Sequence, residues 1–390
     1  MEKVFAQRME GLGTETAFEV LAKAKALEKQ GRDIVHLEIG EPDFATPKNI
    51  QEAAIKAMKT GYTHYVPAPG IPELRGAIAE YLSKTRGIDI DTEEVVVTPG
   101  AKPIIFFSIL ALVEPGDEVM YPNPGFPIYE SMINFLGAKP VPMPLREEKD
   151  FGVDNEEIAG KISKKTKMII LNSPENPTGG VLSKDNLEAI ADGARKRDDL
   201  FILSDEVYSR GIYEGTHESI ASIPGMKEKT ILIDGFSKTY AMTGWRLGYA
   251  AMRKDLAQKV TQLIVNSVSC SCAFSQMAGV EALRGPQDEP KKMVEEFKRR
   301  REVIVSGLNK IKGISCKKPR ATFYVFPNVK NVEMDCRKLS DFILNKAGVA
   351  VLSGTSFGSY GEGYLRLSFA NSVENIKKAL QRISEVLEEL

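Results

Sequence analysis

Short runs of β-branched and aliphatic residues alternate along this chain with polar, glycine-containing turns and with stretches of helical periodicity. After the run at residues 167–171, for example, apolar residues recur at the i, i+3, i+4 and i+7 spacing of one helix face. These residues are Leu187, Ile190, Ala191 and Ala194. Strands that alternate with helices predict a mostly parallel sheet covered on both faces. The predicted strands are residues 94–98, 118–121, 167–171, 200–204 and 230–234.

The pattern changes after Gly285 and Pro286, where a long, charged, amphipathic helix is predicted over residues 290–311. A closing helix is predicted from Asn371, because Glu374 follows three residues later as in a capping box. The apolar stripe of this helix has helical spacing and consists of Ile376, Leu380, Ile383 and Leu387. Shorter strands are predicted between the two helices, at residues 321–326, 349–352 and 364–368.

A chain of 390 residues is too long for one compact core, and the change of pattern near Gly285 predicts two domains. The larger domain is of the α/β class, with a mostly parallel sheet between layers of helices. The smaller domain is of the α+β class. The predicted large domain is residues 46–285, and the small domain combines residues 1–45 with residues 286–390.

The composition is that of a globular protein, with 43% hydrophobic and 27% charged residues. Basic residues (52) nearly balance acidic residues (53), so there is no electrostatic reason to expect nucleic acid or an acidic membrane surface as partner. Residues 1–10 carry charges of both signs and predict no signal peptide, and no run of about 18 apolar residues predicts a membrane span. The four cysteines and three histidines form no metal-binding pattern, which favours unpaired thiols in the cytoplasm.

Ligands of open α/β sheets bind outside the carboxyl ends of the strands, and four of these ends carry residues suited to chemistry. The turn Gly100-Ala101-Lys102 opens an apolar helix, and free N–H groups at a helix start suit an anion. An ordinary strand-to-helix turn is the alternative. Asn176 directly precedes Pro177, which favours an extended backbone and would hold the asparagine amide as an outward donor.

The other two strand ends carry ionisable groups. Asp205 follows the strand at residues 200–204, where a buried carboxylate needs a partner such as a cationic ligand nitrogen, or else serves as a helix N-cap. Lys238 lies just past the strand at residues 230–234. Burial would lower the pKa of this lysine, and Schiff-base chemistry requires a neutral amine. A solvated surface lysine is the alternative for Lys238 taken alone.

Together these four segments resemble the fold type I enzymes that use pyridoxal phosphate (PLP), and specifically the class I/II aminotransferases. Residues 235–248, from Gly-Phe-Ser-Lys to Trp-Arg-Leu-Gly, match the lysine-attachment pattern of that family. Residues 37–44, 62–65 and 364–368 match as well, so the resemblance covers nearly the whole chain. It is closest to the prokaryotic aspartate-type subgroup. The resemblance implies transfer of the amino group of an L-amino acid to a 2-oxo acid by a ping-pong reaction.

The resemblance also implies catalytic roles for individual residues. Lys238 would hold PLP as a Schiff base and would later move the proton of the substrate Cα. Asp205 would pair with the pyridine nitrogen, which makes the ring an electron sink. Tyr208 and Asn176 would donate hydrogen bonds to the phenolic oxygen of the ring and favour its anionic form.

Further residues are implied in holding the cofactor and the substrate. Phe126 would stack on the ring, and Arg366 would clamp the substrate α-carboxylate with help from Gly40 and Asn176. Tyr65 would reach the phosphate bound by a neighbouring subunit, which implies a homodimer with shared active sites. The phosphate would be held by the Gly100 turn, the N–H groups of Ala101 and Lys102, and the side chains of Ser237 and Arg246.

Three features depart from the family. The first concerns the phosphate contact, and the other two leave open which substrate side chain is preferred. Gly235 stands where some relatives have a phosphate-binding serine, so that contact is in doubt unless Ser237 compensates. Residues 266–273 contain no arginine for a distal carboxylate, although Lys102 offers another positive charge. Glu19 either lies near the substrate side chain, where it would repel aspartate, or is a solvated helix residue. The donor is therefore predicted to be of the aspartate/glutamate type or a broad range that includes aromatic amino acids.

Other functions compete with this interpretation. Gly354-Thr-Ser356-Phe-Gly358 fits a hydrolase nucleophile elbow, but every histidine precedes Ser356, whereas that fold places its histidine after the serine. A regulator that only senses PLP would carry a DNA-binding module in front, which this sequence does not show. A different PLP reaction on the same fold stays open, because β-elimination, ring closure to a cyclopropane amino acid and racemisation begin with the same lysine chemistry.

Overall fold

The computed structural model describes residues 4–389. Residues 1–3 and residue 390 lie outside the described residues. The predictions that concern them are the lack of a signal peptide at the N-terminus and the end of the small domain. Within residues 4–389, no helix combines the length and the apolar character that a bilayer crossing needs. The α-helices of this range are α1 (Thr16–Lys29), α2 (Lys48–Lys59), α3 (Pro72–Arg86), α4 (Lys102–Leu112), α5 (Ile128–Phe135), α6 (Asn155–Lys161), α7 (Lys184–Arg195), α8 (Lys254–Val265), α9 (Ala273–Arg284), α10 (Asp288–Leu308), α11 (Cys336–Phe342) and α12 (Val373–Leu387).

The described strands form three sheets. They are β1 (Val35–His36), β2 (Val95–Thr98), β3 (Glu118–Asn123), β4 (Lys139–Pro144), β5 (Thr166–Asn172), β6 (Phe201–Asp205), β7 (Thr230–Gly235), β8 (Gly248–Ala251), β9 (Tyr324–Val325), β10 (Val349–Ala350), β11 (Leu352–Ser353) and β12 (Leu365–Ser368). The large sheet has seven strands in the order β2-β8-β7-β6-β5-β3-β4. Only β8 runs antiparallel to its neighbours, so the predicted mostly parallel sheet is confirmed.

Two strands of this sheet were missed, and each has a physical reason. β4 carries prolines at every second position, Pro140, Pro142 and Pro144, which argues against a strand in the middle of a sheet. The sheet places β4 at its edge, where the missing N–H donors are tolerated. β8 has the sequence Gly-Tyr-Ala-Ala, which lacks the β-branched residues that mark its neighbours.

Helices cover both faces of the large sheet, as predicted. Along β2, Val96 packs with buried residues of α4, α5 and α8 on one face. Val95 and Val97 point the opposite way and pack with buried residues of α2, α3 and α9. Near the other edge of the sheet, buried residues of α7 cover β5 and β6. The strands are therefore apolar on both faces, and their polar residues are concentrated at their ends.

The C-terminal elements surround a separate apolar cluster. β9, β11 and β12 form a three-stranded antiparallel sheet, and β1 pairs in parallel with β10. Residues of α10, α11 and α12 pack with these strands and with Val35 and Leu37 of the N-terminal segment. The predicted strand at residues 349–352 is divided between β10 and β11. The exact domain boundaries stay a prediction.

Two helix boundaries differ from the predicted ones. The cap of α12 is Ser372 and not Asn371, because the Ser372 hydroxyl accepts the Asn375 N–H at 3.1 Å. Asn371 instead accepts the Ser372 N–H, so the predicted capping box with Glu374 does not form. The long helix α10 begins two residues before Pro290, in a first turn where the missing proline N–H is not needed.

A buried group of charges joins α3 to the ends of β6 and β7. Arg86 donates to Glu206 at 2.8 Å and to Asp234 at 3.1 Å, and all three side chains are almost fully buried. Glu206 also contacts the His217 Nε2 atom at 2.7 Å. Burial raises the pKa of Glu206, but His217 and Arg86 outweigh it and lower the pKa to about 2. One guanidinium thus compensates two carboxylates inside the protein.

We predict that Arg86→Leu lowers the apparent free energy of unfolding by about 3–5 kcal/mol, because two buried carboxylates lose their counter-ion. The matched control is Arg284→Leu, whose guanidinium pairs with the exposed Glu80 and should cost less than about 1 kcal/mol. Urea unfolding followed by circular dichroism measures both variants. Equal losses in the two variants would contradict a special role for the buried charges.

Candidate active site

A cavity of about 660 Å³ lies where the carboxyl ends of the central strands meet the start of α4. The register of the sheet explains this position, because Asn172 at the end of β5 pairs with Asp205 at the end of β6. β7 lies next to β6 and ends at Gly235. The cavity is lined by most of the site residues that the sequence singles out, namely Gly40, Ala101, Lys102, Phe126, Asn176, Asp205, Tyr208, Gly235, Ser237, Lys238, Arg246 and Arg366.

Asp205 is a buried carboxylate that contacts no cationic side chain among residues 4–389. The Tyr129 hydroxyl donates to its Oδ2 atom at 2.8 Å, and the Val207 N–H donates to its Oδ1 atom at 3.3 Å. Burial raises the pKa of Asp205 to about 6, even though these two hydrogen bonds lower it. A buried carboxylate of this kind is suited to a cationic partner supplied by a ligand.

Lys238 reaches from the segment after β7 into the same cavity. Its Nζ atom donates to the Gly40 carbonyl oxygen at 2.6 Å and has no carboxylate within contact distance among the described residues. Burial and the positive charge of Arg366 lower the pKa of Lys238 to about 8. The amine is therefore neutral far more often than that of a surface lysine, which suits a nucleophile or a base.

Arg366 lies on β12 and is a buried cation. Its Nη2 atom donates to the Glu38 carbonyl oxygen and its Nη1 atom to the Asn176 side chain at 3.3 Å, while Nε has no partner within the described chain. The guanidinium lies against the rings of Tyr324 and Phe357, with centroids 4.5 Å and 4.9 Å away. A buried guanidinium without a paired carboxylate favours an anionic ligand.

A second cationic site lies at the start of α4. Gly100 has a positive φ of 87°, and a Cβ there would clash with the guanidinium of Arg246. Arg246 itself has a φ of 52° and donates to the Thr243 carbonyl oxygen at 2.9 Å. The guanidinium therefore lies against the first turn of α4, where unpaired N–H groups and the helix dipole also favour an anion.

Two tyrosines of the site were not singled out in the sequence. Tyr129 bonds to Asp205, and Tyr324 bonds to Tyr208 through their hydroxyl groups at 2.9 Å. Tyr324 also packs so closely on Gly40 that a side chain at Gly40 would not fit. Tyrosines in apolar segments look like core residues in a sequence, because their partners lie more than 70 positions away.

Two other residues considered in the sequence analysis, Glu19 and Tyr65, do not line the cavity of their own chain. Glu19 is exposed and does not line the cavity, in line with the alternative of a solvated helix residue. Glu15, one turn earlier, lines the cavity and forms an ion pair with Lys102. Tyr65 is 89% exposed and does not line the cavity of its own chain. No histidine is among the residues that line the cavity in the described chain, and Ser356 is not among them either.

Known proteins are similar to this chain in both sequence and fold. A model of the family "Aminotransferase class I and II" matches residues 32–383. The chain is 46% identical to an aspartate aminotransferase of Pyrococcus horikoshii over 91% of each chain. It is 40% identical to an aromatic-amino-acid aminotransferase of Thermococcus litoralis, over 91% of this chain and 92% of that protein. The structure of a Thermus thermophilus aspartate aminotransferase with maleate superposes with a TM-score of 0.93 at 37% identity, covering 98% of this chain and 99% of that chain.

We predict that acylation of Lys238 in the ligand-free protein is half-maximal near pH 8 and not near the ordinary lysine value of 10.5, because burial disfavours the protonated amine. Arg366→Met should move this midpoint upward, since it removes a positive charge that disfavours protonation. Peptide mapping after brief acetylation at several pH values measures the reactivity, with the exposed Lys48 as internal reference. A midpoint that stays fixed or falls in Arg366→Met would contradict this arrangement of charges.

Proposed function

The chain belongs to the class I and II aminotransferases and is a PLP-dependent amino-acid transaminase, and we propose that the cavity at the ends of β5, β6 and β7 is its active site. One observation carries the proposal. The cavity brings together a lysine with a lowered pKa, a buried carboxylate and a buried arginine, and neither of the last two has an oppositely charged partner in the described part of the chain. Transamination needs an amine that binds the cofactor, an acid that pairs with the cofactor ring and a cation that binds the substrate carboxylate, and these three groups can supply them.

The residues present fit the cofactor. Phe126 offers a ring face inside the cavity, and Asp205 offers a carboxylate for a pyridinium nitrogen. The close approach of Gly100 to Arg246 leaves a cradle for a phosphate, completed by Ser237. Ser237 supplies the hydroxyl that is missing at Gly235. PLP, when bound, withdraws electrons from the Cα of the amino acid and so makes its proton removable.

Asp205 keeps its charge in this arrangement because of its partner. Its pKa of about 6 in the protein alone lies close to neutral pH, and an adjacent ring cation lowers the pKa and keeps the carboxylate ionised. The Tyr129 hydroxyl orients the carboxylate through its bond to Oδ2. Tyr208 and Asn176 lie on the same wall, and we assign them to the phenolic oxygen of the ring, with Tyr324 holding the Tyr208 hydroxyl at 2.9 Å.

Lys238 has two successive tasks in the proposed mechanism. It first attaches the cofactor through its Nζ atom, which is available as a neutral amine because burial and Arg366 lower its pKa. Once free again, the same amine would accept the Cα proton of the amino acid and deliver it to the cofactor carbon on the other side of the amino nitrogen. The Gly40 carbonyl oxygen, 2.6 Å from Nζ, orients the free amine between these tasks.

Arg366 is assigned to the α-carboxylate that every donor and acceptor carries. Its two Nη atoms are held by Asn176 and by the Glu38 carbonyl oxygen, and stacking on Tyr324 restricts the guanidinium plane. A fixed planar fork suits bidentate binding of a carboxylate. Gly40 lines the same cavity, and its lack of a side chain leaves room for Tyr324, whose ring stacks on Arg366. The position of the α-carboxylate then aligns the Cα with Lys238.

For the substrate side chain we propose aspartate-type and aromatic donors with a 2-oxo acid as acceptor. Lys102 offers a cation for a distal carboxylate, while Phe18 and Ile105 offer apolar surface in the same cavity. Relatives named for aspartate and for aromatic amino acids support this range. Among the described residues, no feature favours β-elimination or ring closure over transamination.

We also propose a homodimer with shared active sites in the cytoplasm. Tyr65 is 89% exposed and far from its own cavity lining, as expected for a residue that serves the phosphate of a partner subunit. Exposed apolar side chains such as Phe18 and Val265 provide surface for such a contact. Four free cysteines and a net charge of −1 support a cytoplasmic protein without nucleic-acid or membrane partners.

We predict that borohydride reduction of the holoenzyme, followed by peptide mapping, places the cofactor on Lys238, and that Lys238→Ala carries no covalent cofactor. The reason is that Lys238 is the lysine of the cavity with a lowered pKa. Lys102→Ala is the matched control, since Lys102 lines the same cavity but should leave the label on Lys238. If the label is found on another lysine of the unsubstituted protein, Lys238 is not the lysine that binds the cofactor.

We further predict that Arg366→Ala lowers kcat/KM by a similar factor, about 10²- to 10³-fold, for acidic, aromatic and small donors, because every donor loses two charge-assisted hydrogen bonds. Steady-state kinetics with aspartate, phenylalanine and alanine against one acceptor provides the comparison. A loss confined to aspartate would show that Arg366 binds the side chain and not the α-carboxylate.

A further inference from the structure

Charged side chains in the cavity fall into those with a proposed partner in the reaction and those without one. Asp205, Lys238, Arg246 and Arg366 each have a ligand group assigned to them. Glu41 also lines the cavity, but its carboxylate accepts a hydrogen bond from the Thr243 hydroxyl at 2.8 Å. Lys102 is offered to a distal carboxylate, and the charged side chain left over is Glu15, which contacts Lys102.

The Glu15–Lys102 ion pair bridges two helices at the edge of the cavity. Glu15 directly precedes α1, and Lys102 is the first residue of α4. The Lys102 Nζ atom also lies 5.2 Å from the ring centroid of Phe126, the ring assigned to the cofactor. The charge of Glu15 acts on the pKa of both Lys238 and Arg366, so the pair lies within electrostatic range of the reacting end of the substrate.

Apolar side chains lie beside this ion pair. Ala17 and Phe18 follow Glu15 in the first turn of α1, and Ile105 lies one turn after Lys102 on α4. All three line the cavity. This part of the cavity therefore combines one internally neutralised pair of charges with apolar surface, and the cofactor ring and the α-carboxylate are assigned to other side chains.

The pair is only partly shielded from water and is easily exchanged. The Lys102 and Glu15 side chains are 43% and 24% exposed. Ion pairs with this exposure contribute about 0–1 kcal/mol, so replacing Glu15 by another carboxylate costs little. Conversely, an apolar side chain placed beside the closed pair does not meet an isolated ammonium group, whose desolvation would be costly.

We propose that Glu15 is a specificity-determining residue that competes with the distal carboxylate of an acidic donor for Lys102. With an acidic donor, the distal carboxylate takes the place of Glu15. With an aromatic or aliphatic donor, Glu15 stays on Lys102 and keeps the ammonium neutralised, so that the same subsite accepts both classes. The inference rests on the proposed function, because it takes Arg366 as the fixed end of the bound donor.

The test measures binding of two substrate-like carboxylates to the holoenzyme by calorimetry. Succinate carries a distal carboxylate, and 3-phenylpropionate carries an apolar ring at the corresponding end. We expect Glu15→Gln to bind succinate about three- to fivefold more tightly, since Lys102 no longer has an internal competitor, and to bind 3-phenylpropionate no more tightly than the parent protein. The ratio of aspartate to phenylalanine kcat/KM should rise by a similar factor.

The matched control is Glu19→Ala. Glu19 carries the same charge one turn later on α1, but it is exposed and does not line the cavity, so both ligands should bind within about twofold of the parent. In a Lys102→Met background, Glu15→Gln should no longer tighten the binding of succinate. Melting curves of all variants ensure that the comparison is made on folded protein.

Two outcomes would overturn the inference. If Glu15→Gln changes the affinities for succinate and for 3-phenylpropionate by the same factor, Glu15 acts only through the overall electrostatic field of the cavity. If the gain for succinate persists in the Lys102→Met background, Glu15 does not act through Lys102. Failure of the proposed function is distinguishable, because it would appear as binding of both ligands that is indifferent to Arg366→Ala.

Discussion

The parallel register of β5, β6 and β7 is the constraint on which the other features of the site depend. It places three strand ends at one edge of the sheet, and the alternation of side chains then separates neighbouring carboxylates. Asp205 faces the cavity and Tyr129, whereas Glu206 faces the opposite side and Arg86. Consecutive acids thereby acquire opposite properties, with a pKa of about 6 for one and about 2 for the other.

The two groups of buried charge differ in how completely they are compensated. Behind the sheet, Arg86 is paired with Glu206 and Asp234, so that group is closed and holds the strand ends in place. Inside the cavity, Arg366 has no anionic partner in contact within the described chain. A protein tolerates such an uncompensated charge where a ligand completes it, and the stability lost there is available as binding energy.

Much of the fold and of the site was predictable, for reasons that particular elements make clear. β5 and β6 are short β-branched runs that lie buried on both faces, and such runs are distinctive in a sequence. Lys238 was predicted as the cofactor lysine because its neighbours form a local pattern of restricted residue types. β4 was missed because prolines argue against a strand until its edge position is known. Tyr129 and Tyr324 were missed because nothing local distinguishes a tyrosine at a site from one in a core.

The sequence by itself determined the class of protein and the alternation of strands and helices, and it predicted the cofactor chemistry at Lys238, since these follow from local patterns of side chains. Only the tertiary structure decided which glutamate of the N-terminal segment lines the cavity. Glu15 and Glu19 are one helical turn apart and chemically identical, and the way α1 packs on β10 and β11 places one on Lys102 and the other in solvent. Contacts between elements distant in the chain depend on how helices pack, and no local pattern encodes that geometry.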